Sequence, residues 1–264
     1  MNIALTVAGS DSGGGAGLEA DLKTFHQFGV FGTCVVTAVT AQNTRGVLAW
    51  EPVSASLVAR QLEALAADLP PQGVKTGMLG TGEVVEAVAW GLARYALPDY
   101  VLDPVLVAST GDRLLERDAE RLLRRALLPL AALVVPNLYE AAVLIEDEVR
   151  TVEQMERAGR ALVKLGARAA LVTGGHLDGP ELTDVLVTEG MTRRFAHARI
   201  ETTSTHGTGC TLSAAVAAGF AQGRGLVQSV ADAVDFVVRA IAAAPGLGRG
   251  HGPLNHFVPP PRTR

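Results

Sequence analysis

Residues 3–28 read IALTVAGSDSGGGAGLEADLKTFHQF: a strand-length apolar run, a glycine-rich turn and a helical pattern, in that order. Ile3 to Ala8 carries no charge and stops at Gly9, as a strand buried on both faces does. Beyond Gly17, the residues Leu18, Leu22, Phe25 and Phe28 recur at helical spacing, and Gly29 ends the helix. Such a βα unit predicts an α/β fold, because parallel strands need a crossover helix to bring the chain back. The glycine turn fits neither common phosphate-binding signature. A GxGxxG beginning at Gly13 would need glycine at Leu18, and GxxxxGK[ST] would need lysine at Gly15. At the carboxyl end of a first strand the loop is instead placed to border a substrate pocket. Asp11 and Asp21 are its polar groups, though an Asp beside glycines also serves as a plain turn former.

Working outward, apolar runs at residues 32–39, 74–79, 100–106, 133–136 and 169–175 predict further strands, with 47–53 as an edge strand or hairpin arm. Residues 40–46, TAQNTRG, read as a loop. Helices are expected from Ser54 to Leu69, Thr81 to Tyr95 and Asp118 to Leu128. Others should start at Asn137 and at Thr151, where Gln154 completes a capping box. Residues 182–188 and 191–198 predict a hairpin, two late helices follow, and the Gly/Pro-rich tail from Pro245 reads as a surface loop. The alternation predicts a mostly parallel sheet with helices on both faces and right-handed crossovers, in a single domain spanning 1–264.

With 48% hydrophobic and 19% charged residues among 264, the chain can bury a large core. A net charge of −4 without a basic run argues against nucleic acid and anionic membrane as partners. Two cysteines, Cys34 and Cys210, exclude a disulfide framework and suit a reducing cytoplasm. Neither a signal peptide nor a membrane span is expected. Only three of the 23 basic Lys and Arg residues are lysines, which removes the usual phosphate-binding lysine from most positions.

The chemistry concentrates in 205–218, THGTGCTLSAAVAA. Gly207 and Gly209 allow a tight turn that opens onto an alanine-rich helix, whose first amides and dipole offer a site for an anion, above all phosphate. Cys210 sits at that mouth, and the same field predicts a thiol that ionises readily and accepts a proton. A glycine-capped buried helix with an inert cysteine fits the local pattern equally well. Gln42 and Asn43 supply amides suited to a nitrogen heterocycle, against the alternative of a solvated turn. Asp103, at a strand end, suits Mg²⁺ or a phosphate-bound water; Asn137 and Glu140 sit in a first helical turn, where capping alone also explains them.

Taken together, AGSDSGGGAGLEADLKTF, TAVTAQNTRGV, KTGML, VLDPVLVASTGD, PNLYEA, VTGGHL, THGTGCTLSAA and GHGPLNHF resemble successive motifs of the hydroxymethylpyrimidine/phosphomethylpyrimidine kinases of thiamine biosynthesis. The order and spacing run from the first strand to residue 257. The resemblance implies a ribokinase-like three-layer sandwich and two ATP-dependent steps, on the hydroxymethyl group and then on its monophosphate. It implies ATP and Mg²⁺ as cofactors, with a monovalent cation as a further candidate, and a cytoplasmic homodimer. It makes Gly207, Thr208 and Gly209 with the Cys210 amide the anion hole and Cys210 the base. Gln42 reads the pyrimidine edge, and Gly9, Ala16, Asp21, Met78 and Val105 shape its pocket. Asn137 and Glu140 organise Mg²⁺, with Asp103 nearby, and adenine rests on the late helices and tail. Many relatives carry lysine where this chain has Thr173 and where it has Ser109 and Thr110, leaving Arg113 as a candidate to balance phosphate charge. The rivals are a pyridoxal kinase and a non-catalytic ligand sensor on the same fold; Gln42 in AQNTRG disfavours the first, and Cys210 with Glu140 and Asp103 the second.

Overall fold

The computed structural model describes residues 1–107, 111–112 and 114–261; Ser109, Thr110 and Arg113 lie outside the described residues. Strands β1 (Ile3–Ala8), β2 (Phe31–Val36), β5 (Gly73–Thr76), β6 (Tyr100–Leu102), β7 (Leu133–Val134), β8 (Ala169–Val172), β9 (Glu181–Thr188) and β10 (Thr192–Ala198) form one sheet. Its order is β10-β9-β8-β7-β6-β5-β1-β2. The six strands from β2 to β8 are parallel, and β9 and β10 add an antiparallel edge. A separate hairpin, β3 (Ala38–Asn43) and β4 (Gly46–Pro52), stands out of the sheet.

Alternation along the buried strands sorts their side chains onto two cores. Leu5, Val7, Leu102, Val134, Ala170 and Val172 meet α2 (Ala55–Asp68), α3 (Gly82–Arg94), α4 (Arg117–Leu122), α5 (Leu138–Ile145) and α6 (Val152–Lys164). Their neighbours Ala4, Val101, Leu133, Ala169 and Leu171 meet α1 (Gly17–Gln27), α7 (Thr208–Ala221) and α8 (Leu226–Ala242). The result is the expected three-layer α/β arrangement. Each fully buried Leu or Phe in these layers contributes about 1.5–3 kcal/mol of transfer free energy. Phe28 and Phe236 meet edge to face at 5.1 Å and tie α1 to α8.

The chain departs from the sequence reading at several places. Residues 32–39 are not one strand, since β2 ends at Val36. Gln61 of α2 closes the strand by accepting from the Val36 amide at 2.9 Å and donating to its carbonyl at 3.1 Å. Thr37 is fully buried; its amide donates to Ala8 O and its hydroxyl to Met78 O, so the chain turns there into the hairpin. Gln42 and Asn43 consequently lie on β3 rather than in a loop. The helix expected at 118–128 is α4 followed by a π-helical turn, Leu123–Leu127, and a short 3₁₀ turn containing Pro129. The tail is more than a surface loop. Leu254 and His256 are buried, the amides of Arg249 and Gly250 reach Thr44 Oγ1, and the His251 amide donates to Thr44 O at 2.7 Å.

Because α1 covers one face of the sheet and α2 the other, the strand order reverses direction beside β1. In open α/β sheets ligands bind outside the carboxyl ends of the strands at such a switch. Gly9 follows β1, Met78 follows β5, Asp103 follows β6, Asn137 follows β7 and Thr173 follows β8; all five face one cavity.

Candidate active site

That cavity has a volume of about 950 Å³. Its walls bring together Gly9, Ala16, Gln42, Met78 and Val105 at one end with Asp103, Asn137, Glu140 and the segment Gly207, Thr208, Gly209 and Cys210. Beyond these it continues past Thr173 to Val234, Val238 and Ile241 on α8. Asp21 does not join them. It lies fully buried on α1, accepts from Thr6 Oγ1 at 2.6 Å, and holds Lys75 Nζ at 2.9 and 3.0 Å. A lone lysine inside a sheet must be paired, and Asp21 is the carboxylate that pairs it rather than a group of the pocket wall.

The turn expected to hold an anion is shaped by backbone conformation. Gly207 caps α7 at φ +82°, and a side chain there would run into the Gly15 carbonyl, so the turn and the first glycine loop interlock. The Thr208 amide is spent on Thr205 O and the Thr211 amide on Gly207 O. The amides of Gly209 and Cys210 remain as first-turn donors at the cavity, with the helix dipole behind them.

Cys210 keeps part of its surface open to this space. Its thiol is nevertheless not predisposed to ionise: burial pushes it up to about 12, the nearby Asp103 and Asp21 add to the rise, and Lys75 only partly opposes them. Burial first, and then the carboxylates that follow β6 and lie on α1, work against the helix field that the local sequence suggested.

The carboxylates form their own cluster. Asn137 and Glu140 make a reciprocal capping box, with the Asn137 amide donating to Glu140 Oε2 at 3.0 Å and the Glu140 amide to Asn137 Oδ1 at 2.9 Å. Capping therefore is real, yet Glu140 is only 4% exposed, and burial followed by the charge of Asp103 pushes its carboxyl up to about 8. Burial likewise raises Asp103 to about 6, against the pull of Lys75 Nζ at 3.7 Å. Asp103 Oδ2 has no hydrogen-bond partner although buried. Two acids that resist ionising and line one cavity fit a hard cation. Among the described residues no three His, Cys, Asp or Glu converge as a complete metal cage, so such an ion would take the rest of its ligands from phosphate and water.

These shifts fix the pH dependence of folding. An acid whose folded value lies above its unfolded one binds its proton more tightly when folded, so stability is lost as pH rises between the two values. That window is roughly 4 to 6 for Asp103 and 4.5 to 8 for Glu140. His256, pushed down to about 4 by burial, acts oppositely between about 4 and 6.5. From about pH 6.5 to 8, Glu140 alone of the three titrates. His197, which its hydrogen bond to Asp184 raises from 6.5, adds a fall of the same sign, so the melting temperature of the unliganded protein should fall across that range and Glu140→Gln should make the fall shallower; an equal fall in the variant would contradict it.

Sequence reasoning passed over two groups. Lys75 gave no signal because its partner is 54 positions away. His206, inside THGTGC, carries no signal of its own in the sequence: its ring is buried and its Nε2 lies 2.8 Å from Asp11 Oδ2.

Comparison with known proteins agrees with this geometry. The family model described as phosphomethylpyrimidine kinase matches residues 11–255. A hydroxymethylpyrimidine/phosphomethylpyrimidine kinase of Rhizobium meliloti (strain 1021) is 50% identical over 258 residues, covering 97% of each chain. The crystal structure of a phosphomethylpyrimidine kinase from Clostridium difficile 630 superposes with a TM-score of 0.82 at 37% identity, over 91% of this chain and 100% of that one. An ADP complex of Bacillus subtilis pyridoxal kinase gives 0.91 at 35% identity, over 97% of both. A ribokinase-like sheet with its strand ends gathered on one cavity, and likeness along nearly the whole length, place the chain in the phosphomethylpyrimidine kinase family.

Proposed function

We propose that this chain transfers the γ-phosphoryl group of ATP to the hydroxymethyl oxygen of 4-amino-5-hydroxymethyl-2-methylpyrimidine, and then a second phosphoryl group to the resulting monophosphate, in thiamine biosynthesis. The observation that carries the reading is the single cavity that joins Gln42 to the anion hole and Cys210. Its volume of about 950 Å³ leaves room for a nucleotide beside a small ring. The pyrimidine would lie against Gly9, Ala16, Met78 and Val105 with its edge toward Gln42. The adenine would take the apolar stretch of Val234, Val238 and Ile241. The transferring phosphoryl group would rest on the amides of Gly209 and Cys210, in line with the acceptor oxygen. Cys210 would first lose its own proton to solvent as the charge of Mg²⁺ offsets the neighbouring carboxylates, and the thiolate would then take the hydroxyl proton onto sulfur as the O–P bond forms, while ADP leaves with the electrons of the broken bond. Mg²⁺ arriving with ATP would be held by Asp103 and Glu140, with Asn137 fixing Glu140, and would supply the positive charge that phosphoryl transfer requires. With Thr173 at the end of β8, no lysine stands there for the phosphates.

Free thiols at Cys34 and Cys210 support a cytoplasmic location. No helix among the described residues is long and apolar enough to cross a membrane. A homodimer is carried from the family resemblance and base rates.

The structural likeness to a pyridoxal kinase keeps a second acceptor in view. ATP consumption, measured with Mg²⁺ and hydroxymethylpyrimidine, its monophosphate or pyridoxal in turn, decides the matter. Turnover of both pyrimidines with a higher kcat/KM than pyridoxal is the expected result. Preference for pyridoxal would transfer the activity to that substrate, and turnover of none would leave a ligand sensor.

A further inference from the structure

Asp11 lies at the centre of the first glycine loop. Its Oδ1 accepts the Gly13 amide at 2.8 Å, and its Oδ2 accepts those of Gly15 at 2.9 Å and Ala16 at 2.8 Å. The same Oδ2 lies 2.8 Å from His206 Nε2. Burial would raise this carboxyl, but His206 and the amides of Ala16 and Gly13 overcome it and hold it below its ordinary value. Asp11 is thus an acceptor on both oxygens, and His206 Nε2 must carry the hydrogen between them, whether the ring is neutral or doubly protonated. The loop is shaped around this contact. A Cβ on Gly15 would come within 2.5 Å of His206 Cδ2, so the glycine makes room for the imidazole.

Gln42 Nε2 stands 3.3 Å from the same His206 Nε2. A ring nitrogen that bears hydrogen offers no lone pair to an amide NH₂. A half-turn of the amide puts Oε1 at that position, where it shares the Nε2–H with Asp11, and sends the NH₂ into the cavity. The Gln42 backbone is meanwhile fixed, since its amide donates to Ser12 Oγ at 2.8 Å and its carbonyl accepts from the Ser12 hydroxyl at 2.8 Å. Only the side-chain rotation is left to decide.

We infer that His206, locked by Asp11, is a positioning residue that sets which end of the Gln42 amide faces the substrate, so that Gln42 donates to a ring nitrogen instead of accepting from an exocyclic amino group. This rests on the proposed pyrimidine activity and sharpens it, because a single buried histidine then joins the base-reading side chain to the turn that holds phosphate. His206 is the residue immediately before Gly207.

The test compares the hydroxymethylpyrimidine with two analogues, each having one ring nitrogen replaced by C–H. The wild-type enzyme should disfavour one analogue by about tenfold or more in kcat/KM, the scale of one hydrogen bond to a site left unpaired. His206→Leu should erase that ratio through a higher KM for the parent compound. His206→Gln, whose Nε2–H can reach both Asp11 and Gln42, should restore it. Full discrimination in His206→Leu, or a loss confined to kcat with the ratio intact, would overturn the inference. A second measurement needs no turnover: ¹⁵N spectra of the unliganded protein should show the His206 hydrogen on Nε2. A ring protonated on Nδ1 alone would sink the inference even if the activity holds. If wild type turns over no pyrimidine at all, the functional reading fails and the spectra still judge His206.

Discussion

Cys210→Ala should lower kcat by about two to four orders of magnitude while ATP affinity changes by less than about threefold, the range for removing a general base from an otherwise intact site. The side chain lies in the first turn of α7, beside the amides assigned to phosphate, so its truncation leaves those donors in place. Its thiol sits at about 12 in the unliganded chain and is therefore protonated at neutral pH. Burial and then the negative charge of Asp103 and Asp21 oppose the thiolate, while Lys75 and the Gly17 backbone amide favour it. A thiol so placed is a strong base once ionised and a poor nucleophile beforehand, which protects it from stray reaction. Iodoacetamide should accordingly modify Cys210 at pH 8 more slowly than it does a free thiol. Cys210→Ser should do no better than alanine, because a hydroxyl in the same place is harder still to ionise. Turnover in Cys210→Ala within about threefold of wild type would end the base assignment.

The sequence announced β1 to the residue and the capping box of Thr151 and Gln154, and offered capping as one of two readings of Asn137 and Glu140, because those features are local: an apolar run bounded by glycine, and a cap three positions before its partner. The break at Thr37 was invisible for the opposite reason. Nothing between Gly32 and Val39 opposes a strand, and what ends it are contacts to Ala8, Met78 and Gln61. The candidate site divides in the same way. Glycine positions, Asn137 and Glu140 could be read from spacing along the chain. The reluctance of Cys210 to ionise could not, since it comes first from burial beneath the folded chain and then from carboxylates more than a hundred positions away in sequence. Asp21 sat beside the glycine loop and so looked like part of the pocket, yet helical spacing turns it beneath the loop toward Lys75. His206 is bound to partners 195 and 164 positions distant, and no periodicity marks such a residue.

Lys75→Met should destabilise the fold by about 3–5 kcal/mol, the cost of leaving buried carboxylates without their cation. Lys75 and Asp21 have no exposed side-chain surface, and Asp103 has 6%. Burial alone would lower the ammonium, but Asp21 first, then Cys210 and Asp103, hold it charged and above its ordinary range. One cation thus serves two carboxylates, and methionine, similar in length, fills the space without the charge. The denaturant midpoint at pH 7.5 should fall accordingly, and the loss should shrink at pH 5, where Asp103 takes up a proton. If charge and not volume is the cause, the double variant Asp21→Leu/Lys75→Met should regain part of the loss, since it removes the carboxylate that lysine was neutralising. A single variant within about 1 kcal/mol of wild type, or a double variant that simply adds the two costs, would mean that Lys75 is held by packing. The same substitution should slow turnover in whatever fraction remains folded, because it withdraws the positive charge that, among the described residues, favours the Cys210 thiolate.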